Sequence, residues 1–543
     1  MVLQNMLRCK GFFPGFLLLA ASLSMVVLPG GPVPVSQESP KYGGTLHVRV
    51  LADNPQPNLD PAAGTWVMAT EQIFEGLVRL DANLDPTPAL AEYWRPEDEG
   101  RTTVFYLRKG VRFHDGRELT SRDVKFSLER LLRPETRSPF ADDLASKVVG
   151  AREFRSGKAA EVAGFATPDK YVFVVRGLSP NVSLLYLLSR SYCKILPQEL
   201  ADGQGRNFFW KPVGTGPFKF DSWLRSPNLD IVGVRLTRNS DYYGKVAFID
   251  ALELSPLFSI EHFVDREVEV MPYLSERMAR SGGQVIEAGP QSITYLFVSC
   301  QVPPLNRTAI RQALALGVDK ERLSAAFQDS EVLRRTTSNV IPTRWPGFFP
   351  RDNAVDYNPD KALQIIEEQG FSSDKKFPAI LLYLPLPKTD GQIRFADELE
   401  RQLERLGISL SVSYYRTVRE VRDTRRPFLI KVDWPMNSAD PESVVRPLFQ
   451  SQSEINVDNY RYTSPRLDQL LEESAFEQSL TRRTELFRRM EDVLADDLPV
   501  LPLFINDLRI VLQSNIRGFK SSPRGFDFVD MKEIWFEKRE RRP

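Results

Sequence analysis

Apolar positions along the chain switch between two periods. Leu46, Val48 and Val50 alternate with polar neighbours, the two-residue period of a half-buried strand. Thr103–Leu107 reads as a second strand, closed by the turn-prone Lys109-Gly110, and Tyr171–Val175 as a third. Between them, Thr120 and Asp123 have capping-box spacing, with Val124, Leu128 and Leu131 as the apolar stripe of the helix behind. From about Gln291 strands and helices alternate. Ser292–Val298 is strand-like and Ala309–Leu316 continues as an amphipathic helix. Asn358 and Pro359 open another helix as N-cap and first residue, and Gly370 stops it. Ala379–Leu384 is a buried strand. Phe395, Leu399, Leu403 and Leu406 mark a helix ended by Gly407, and Ile408, Leu410, Val412 and Tyr414 alternate as the next strand. Strand, helix and strand in about 37 residues predict a parallel βαβ unit. Leu467–Leu498 carries one long apolar face interrupted near Ser479, read as core packing. No repeat, Gly/Ser linker or low-complexity block breaks the chain, so the pattern predicts a compact α/β protein.

Composition narrows this picture. The 543 residues are 42% hydrophobic and carry 71 Lys+Arg against 71 Asp+Glu, so no basic excess draws the protein to nucleic acid or anionic lipid. The length predicts two to four lobes. Residues 1–40 read as an export signal: Arg8 and Lys10 precede the apolar run Phe12–Leu28, and Pro29-Gly30-Gly31-Pro32 breaks any helix. A membrane-anchoring helix is the alternative, because the run approaches the length of a span. Pro14, the interior serines and the polar stretch Ser36–Lys41 favour a cleavable signal, and Cys9 stands on the wrong side of the run for a lipid anchor. Two cysteines remain, Cys193 and Cys300, either bridged in an oxidising compartment or two buried thiols.

Catalytic patterns are missing. His47, His114 and His262 are far apart and form no HExxH or other ligand pair, and GxSxG, Walker A and GxGxxG do not occur. Gly214-Thr215-Gly216-Pro217 superficially resembles a phosphate loop, but Pro217 removes a backbone donor and no GK[ST] follows. The reading is a non-enzymatic protein with no cofactor and no metal site.

Four stretches, in order, resemble the extracellular solute-binding proteins of family 5, the peptide- and nickel-type receptors of ABC importers. The first runs from Tyr42-Gly43-Gly44-Thr45-Leu46 through Asn58-Leu59-Asp60-Pro61 to Gln72–Val78. The second is Tyr106–Gly116 with Leu119–Val124. The third is Pro212–Phe218, followed by Arg238–Gly244, and the fourth is Arg307–Leu323. Together they span about residues 41–505, nearly the whole chain after the leader. Ser259–Val268 fits only loosely where the family has a longer helix. The resemblance implies an α/β, periplasmic binding protein type II-like fold: a three-lobed clamshell with mixed sheets. Lobe one is expected at about 41–80, 206–290 and 499–543 with a charged tail, lobe two at 81–205 and lobe three at 291–498. It implies a monomer that buries a small solute between lobes and delivers it to an ABC permease in the membrane, in the periplasm or outside the cell.

In the family's peptide receptors the ligand-facing segment resembles Trp-x-x-Asp-x-x-Asp-Pro, whose first Asp pairs with the ligand's α-amine. The matching stretch is Trp434-Pro435-Met436-Asn437-Ser438-Ala439-Asp440-Pro441, so the candidate ligand-binding residues are Trp434, Asn437 and Asp440. The amine-binding Asp is replaced by Asn437. An amide offers one neutral acceptor where a carboxylate makes a charge-assisted bond, a loss of roughly 1–3 kcal/mol or ten- to a hundredfold in affinity. Asn437 suits a neutral ligand such as an oligosaccharide or blocked peptide, or one anchored elsewhere. Alternatively Asp433 or Asp440 takes the amine role. Trp434 either stacks on ligand or packs in the core. A metal complex as ligand, and a sensing module not coupled to import, are the remaining alternatives. His114 in Phe113-His114-Asp115-Gly116 reads as part of a structural turn, and Gly214 and Gly216 as backbone requirements.

Overall fold

A computed structural model describes residues 39–51, 58–180, 183–327, 332–342, 356–421, 425–436, 438, 440–477 and 479–537. The export-signal reading lies almost wholly outside them. Residues from Pro40 onward form one compact unit.

Two long antiparallel strands organise this unit, Gln284–Val298 and Val500–Leu512, in register from Gln284↔Leu512 to Phe297↔Val500. At one end Phe428–Pro435 adds to the first of them, followed outward by Ile380–Pro385 and Leu410–Tyr415. At the other end Val270–Pro272 adds to the second, followed by Thr45–Arg49, Ala251–Ser255, Ile231–Arg238 and Phe218–Arg225. Val332–Thr336 also pairs with Val500–Leu512, so among the described residues one eleven-stranded mixed sheet runs through both halves, and the two long strands cross between them. The middle of the pair is irregular, with register shifts between Glu287 and Pro290, Pro290 and Ser292, and Thr294 and Tyr295. Bulges of this kind bend a strand and raise its twist.

The crossing strand reads as a near-continuous apolar run because both faces are covered. Ile293, Tyr295 and Phe297 enter one core, while Leu296 and Val298 enter the core on the opposite face. Leu46, Val48, Leu252, Leu254 and Ile510 pack a third core at the other end. A separate four-stranded sheet, ordered Ala91–Glu97, Thr102–Leu107, Val172–Arg176 and Phe165–Asp169, packs helix Ser121–Leu132 over a fourth.

Most patterned elements appear where the sequence puts them. Thr120 and Asp123 form the capping box, Asn358 accepts from the Lys361 amide as N-cap, and Gly370 has φ +87°. Strands Ile380–Pro385 and Leu410–Tyr415 are parallel and joined through helix Asp390–Glu404. The apolar face beyond Leu467 breaks at Ser479, which caps the second of two helices, Pro465–Phe476 and Leu480–Asp497. One strand is longer than expected: the pattern predicts Ser292–Val298, yet the strand runs from Gln284 to Val298 through Gly289-Pro290. Cys193 and Cys300 are buried free thiols in separate cores, each pushed up to about 12 by burial. Of the stretch expected to fray, Glu537 is tied down by Arg517 and by its own amide, which donates to the Asn515 carbonyl.

Candidate functional site

Strand Phe428–Pro435 delivers the Trp434 segment to the bend of the crossing strands. Trp434 pairs with Ile293 and Pro435 with Ser292, and the Met436 amide donates to the Gln291 carbonyl at 3.0 Å. Trp434 is half-buried and packs against the core that holds Ile293. Asn437 lies outside the described residues. Asp440 is buried in an ion cluster: its carboxylate accepts from the Glu442 amide at 3.0 Å and from Arg483 Nη2 at 2.9 Å and 3.1 Å. The same Arg483 nitrogen reaches Glu442 at 3.0 Å, and Glu442 also takes Arg446 Nε at 2.7 Å and Lys147 Nζ at 3.4 Å. Burial opposes the charge on Glu442, but Lys147, Arg446 and Arg483 together hold its carboxyl well below the usual range. Lys147 follows helix Ala141–Ala145 near the four-stranded sheet, so this cluster joins residues 295 positions apart in the chain.

Asp433 stands at the bend itself. Lys431 Nζ donates to it at 2.6 Å and Thr294 Oγ1 at 2.5 Å, while Asn506 of the second crossing strand donates to Thr294 at 2.8 Å. Enclosure pushes the Asp433 carboxyl up, yet Lys431 and Thr294 outweigh it and hold the pKa below the ordinary value. Each of its oxygens accepts one of these bonds, and the side chain remains 41% exposed.

A cavity of about 150 Å³ opens beside this bend, lined from several elements by Phe140, Tyr192, Gln291, Pro435, Arg524 and Asp527, among others. Neither Trp434 nor Asp440 lines it. The loop carrying Arg524 and Asp527 is pressed against the crossing strand. Ser521 donates to the Glu287 carbonyl at 2.6 Å. A Cβ on Gly289 (φ +100°) would stand 2.4 Å from the Ser522 carbonyl oxygen, and one on Gly525 (φ +103°) 2.7 Å from Gln291 Nε2. Only glycine fits either position.

The polar groups in this cavity are unspent. Arg524 Nε and Gln291 Nε2 are buried without a hydrogen-bond partner among the described residues. The guanidinium lies 3.7 Å from the Phe528 ring centroid. Burial pushes Arg524 down to about 10 against the weak pull of Glu71, whose other oxygen is held by Lys194 at 2.8 Å. Burial, with Glu71 nearby, pushes the Asp527 carboxyl up to about 6, and no described residue gives that carboxylate a hydrogen bond or ion pair. A larger cavity of about 440 Å³ also touches Arg524 but includes no residue of the crossing strands' bend or the Trp434 segment.

The other sequence candidates are structural. His114 is bound through Nε2 to the Gly216 carbonyl at 3.0 Å and accepts the Gly214 amide at 3.2 Å on Nδ1, and burial pushes it down to about 4. Cβ atoms at Gly214 and Gly216 would stand 2.0 Å and 2.3 Å from the carbonyls of Ile73 and Gln72. These glycines are needed for close approach to a helix end and for no phosphate. Among the described residues no group of three or more His, Cys, Asp or Glu could hold a metal ion, and no helix is long and apolar enough to cross a membrane. Sequence reasoning missed Arg524 and Asp527. Their one signal is that both sit between Pro523, Gly525 and aromatic residues rather than in a polar run.

A clamshell of mixed sheets joined by two crossing strands, with its cavity at the crossing, defines the class of type II periplasmic binding proteins, here with three lobes. Residues 85–456 match the model of the bacterial extracellular solute-binding proteins, family 5, and the chain belongs to that family. It is 24% identical over 500 residues to the dipeptide-binding protein of Escherichia coli strain K12, covering 86% of this chain and 90% of that one. It is also 24% identical over 488 residues to heme-binding protein A of Haemophilus influenzae, covering 84% and 86%. Its fold matches a periplasmic murein tripeptide-binding protein in unliganded open form with a TM-score of 0.76 and 18% identity over 92% of this chain and 98% of that one. It matches a periplasmic binding protein of Helicobacter pylori in complex with the peptide STSA with a TM-score of 0.70 and 20% identity, over 92% and 99%.

Proposed function

We propose that the protein is an exported receptor that captures a peptide or peptide-like solute between its lobes and delivers it to the permease of an ABC importer. The observation that carries this reading is the cavity at the bend, where buried donors and a carboxylate stand unspent. Relatives named for dipeptides and a neighbour solved with a peptide support the choice of solute class. In this reading lobe one comprises about 41–80, 206–290 and 499–543, lobe two 81–205 and lobe three 291–498. Lobe three swings on the crossing strands, and closure raises affinity because the solute touches both sides only when they meet. The protein binds without chemical conversion, works as a monomer, and acts beyond the cytoplasmic membrane.

A thermal-shift screen of the chain without residues 1–40 tests this against short peptides, N-blocked peptides, oligosaccharides and nickel complexes. A ligand at a hundred times its dissociation constant adds ~2.7 kcal/mol of stability. A shift with peptides is expected. A shift only with sugars or metal complexes would replace the solute class, and no shift would remove the capture role.

A further inference from the structure

Three charged side chains line the cavity at the bend; Arg190 lies over the Tyr192 ring, while Arg524 and Asp527 are of opposite sign and do not pair with each other. Arg524 and Asp527 both line it, yet no ion pair joins them and neither is paired with another described residue. That differs from the paired groups nearby: Asp433 has Lys431 and Thr294, Asp440 has Arg483, and Glu71 has Lys194. Both side chains are half-buried, and an enclosed charge without a partner is destabilising, so a cavity that keeps one unpaired charge of each sign is complementary to a molecule that brings both. A neutral sugar would discharge neither.

The local geometry gives each charge a task. Phe528 covers one face of the Arg524 guanidinium, which leaves the in-plane N–H donors for a planar acceptor. A carboxylate is the acceptor whose two oxygens match that fork. The Asp527 carboxylate, with no N–H or cation on it, lacks what an ammonium supplies. Gly525 lies between the two residues and presses the loop onto Gln291, so both charges ride on a segment braced against the crossing strand. At about 150 Å³ the cavity has the volume of about five waters at ~30 Å³ each, enough for the charged main chain of one or two small residues. The sequence carries the counterpart: with Asn437 in place of a carboxylate, an ammonium needs another acceptor.

We propose that Arg524 and Asp527 are the charge anchors of the ligand site, and that they take a compact zwitterion, a free-ended short peptide or amino acid whose carboxylate meets Arg524 and whose ammonium meets Asp527. This deepens, and rests on, the reading that the protein captures a peptide-like solute between its lobes.

Calorimetric titration of the wild-type protein, Arg524→Gln and Asp527→Asn with Ala-Ala, N-acetyl-Ala-Ala and Ala-Ala amide tests it. Wild type should prefer Ala-Ala to each blocked peptide by about tenfold or more. Arg524→Gln should lose the discrimination against the amide, and Asp527→Asn the discrimination against the acetylated peptide. Each ratio is internal to one variant, so a partly misfolded sample does not change it. Melting temperatures of the two ligand-free variants should equal or exceed wild type, because no partner is lost with the charge. Lower melting temperatures in both would make the residues structural and overturn the assignment. If wild type binds peptides but the variants keep its preferences, or wild type shows no preference, the anchors are overturned while peptide capture stands. If wild type binds none of the three, both fall.

Discussion

Two buried charged clusters near the meeting of the lobes are built on opposite principles. Around Arg483, every carboxylate has a cation: Asp440 and Glu442 share Arg483, and Glu442 also holds Arg446 and Lys147. Around Arg524, the cavity keeps a guanidinium, an amide and a carboxylate with no partner among the described residues. The first cluster is closed chemistry, in which each group's desolvation is offset by its neighbours. The second is open, and its cost is recovered only when something else enters. In the proposed site it is the unpaired state of the charges, rather than their presence, that argues for a ligand.

The largest expected effect comes from breaking the closed cluster. Arg483→Met leaves Asp440 and Glu442 without their shared cation and should cost about 3–5 kcal/mol in denaturant unfolding. Glu491 sharpens the comparison as an intermediate case: its carboxylate accepts the Val340 and Ile341 amides at 2.7 Å each but has no ion pair among the described residues. Burial pushes it up to about 7 despite those bonds, with Asp492 adding slightly. The folded protein thus holds this proton through a range where the unfolded chain has released it. The contribution of this group to stability is full below about pH 4.5 and falls by roughly 3 kcal/mol as pH rises to about 7. Glu491→Gln should remove that part of the slope in melting curves taken between pH 4.5 and 8. Lys147→Met should have the smallest effect, about 0.5–1 kcal/mol, because Arg446 and Arg483 still serve Glu442 and Lys147 is partly exposed. A loss as large as that of Arg483→Met would mean that Lys147, rather than the buried triad, holds the cluster.

The fold was largely legible in the sequence because its elements are local. Capping at Thr120, Asn358 and Ser479, the stop at Gly370 and the alternation in Ile380–Pro385 are set within a few residues and appear in the structure. The family was legible because its motifs are spread in order along the chain. The open cluster was not. Arg524 reaches Gln291 and Pro435 only because Val500–Leu512 pairs with Gln284–Val298 across more than 200 residues, and no period or spacing encodes that pairing. The Trp434 segment lies beside the bend, and nothing local reveals that Asp440 is already taken by Arg483, 43 residues away.

The most direct test is a crystal structure of the protein grown with saturating Ala-Ala. The expected result is a dipeptide in the cavity at the bend, its carboxylate within hydrogen-bond distance of Arg524 and its ammonium on Asp527, with the Asp440–Arg483 pair unchanged. A dipeptide bound elsewhere in the cleft, with Arg524 and Asp527 untouched, would contradict the account.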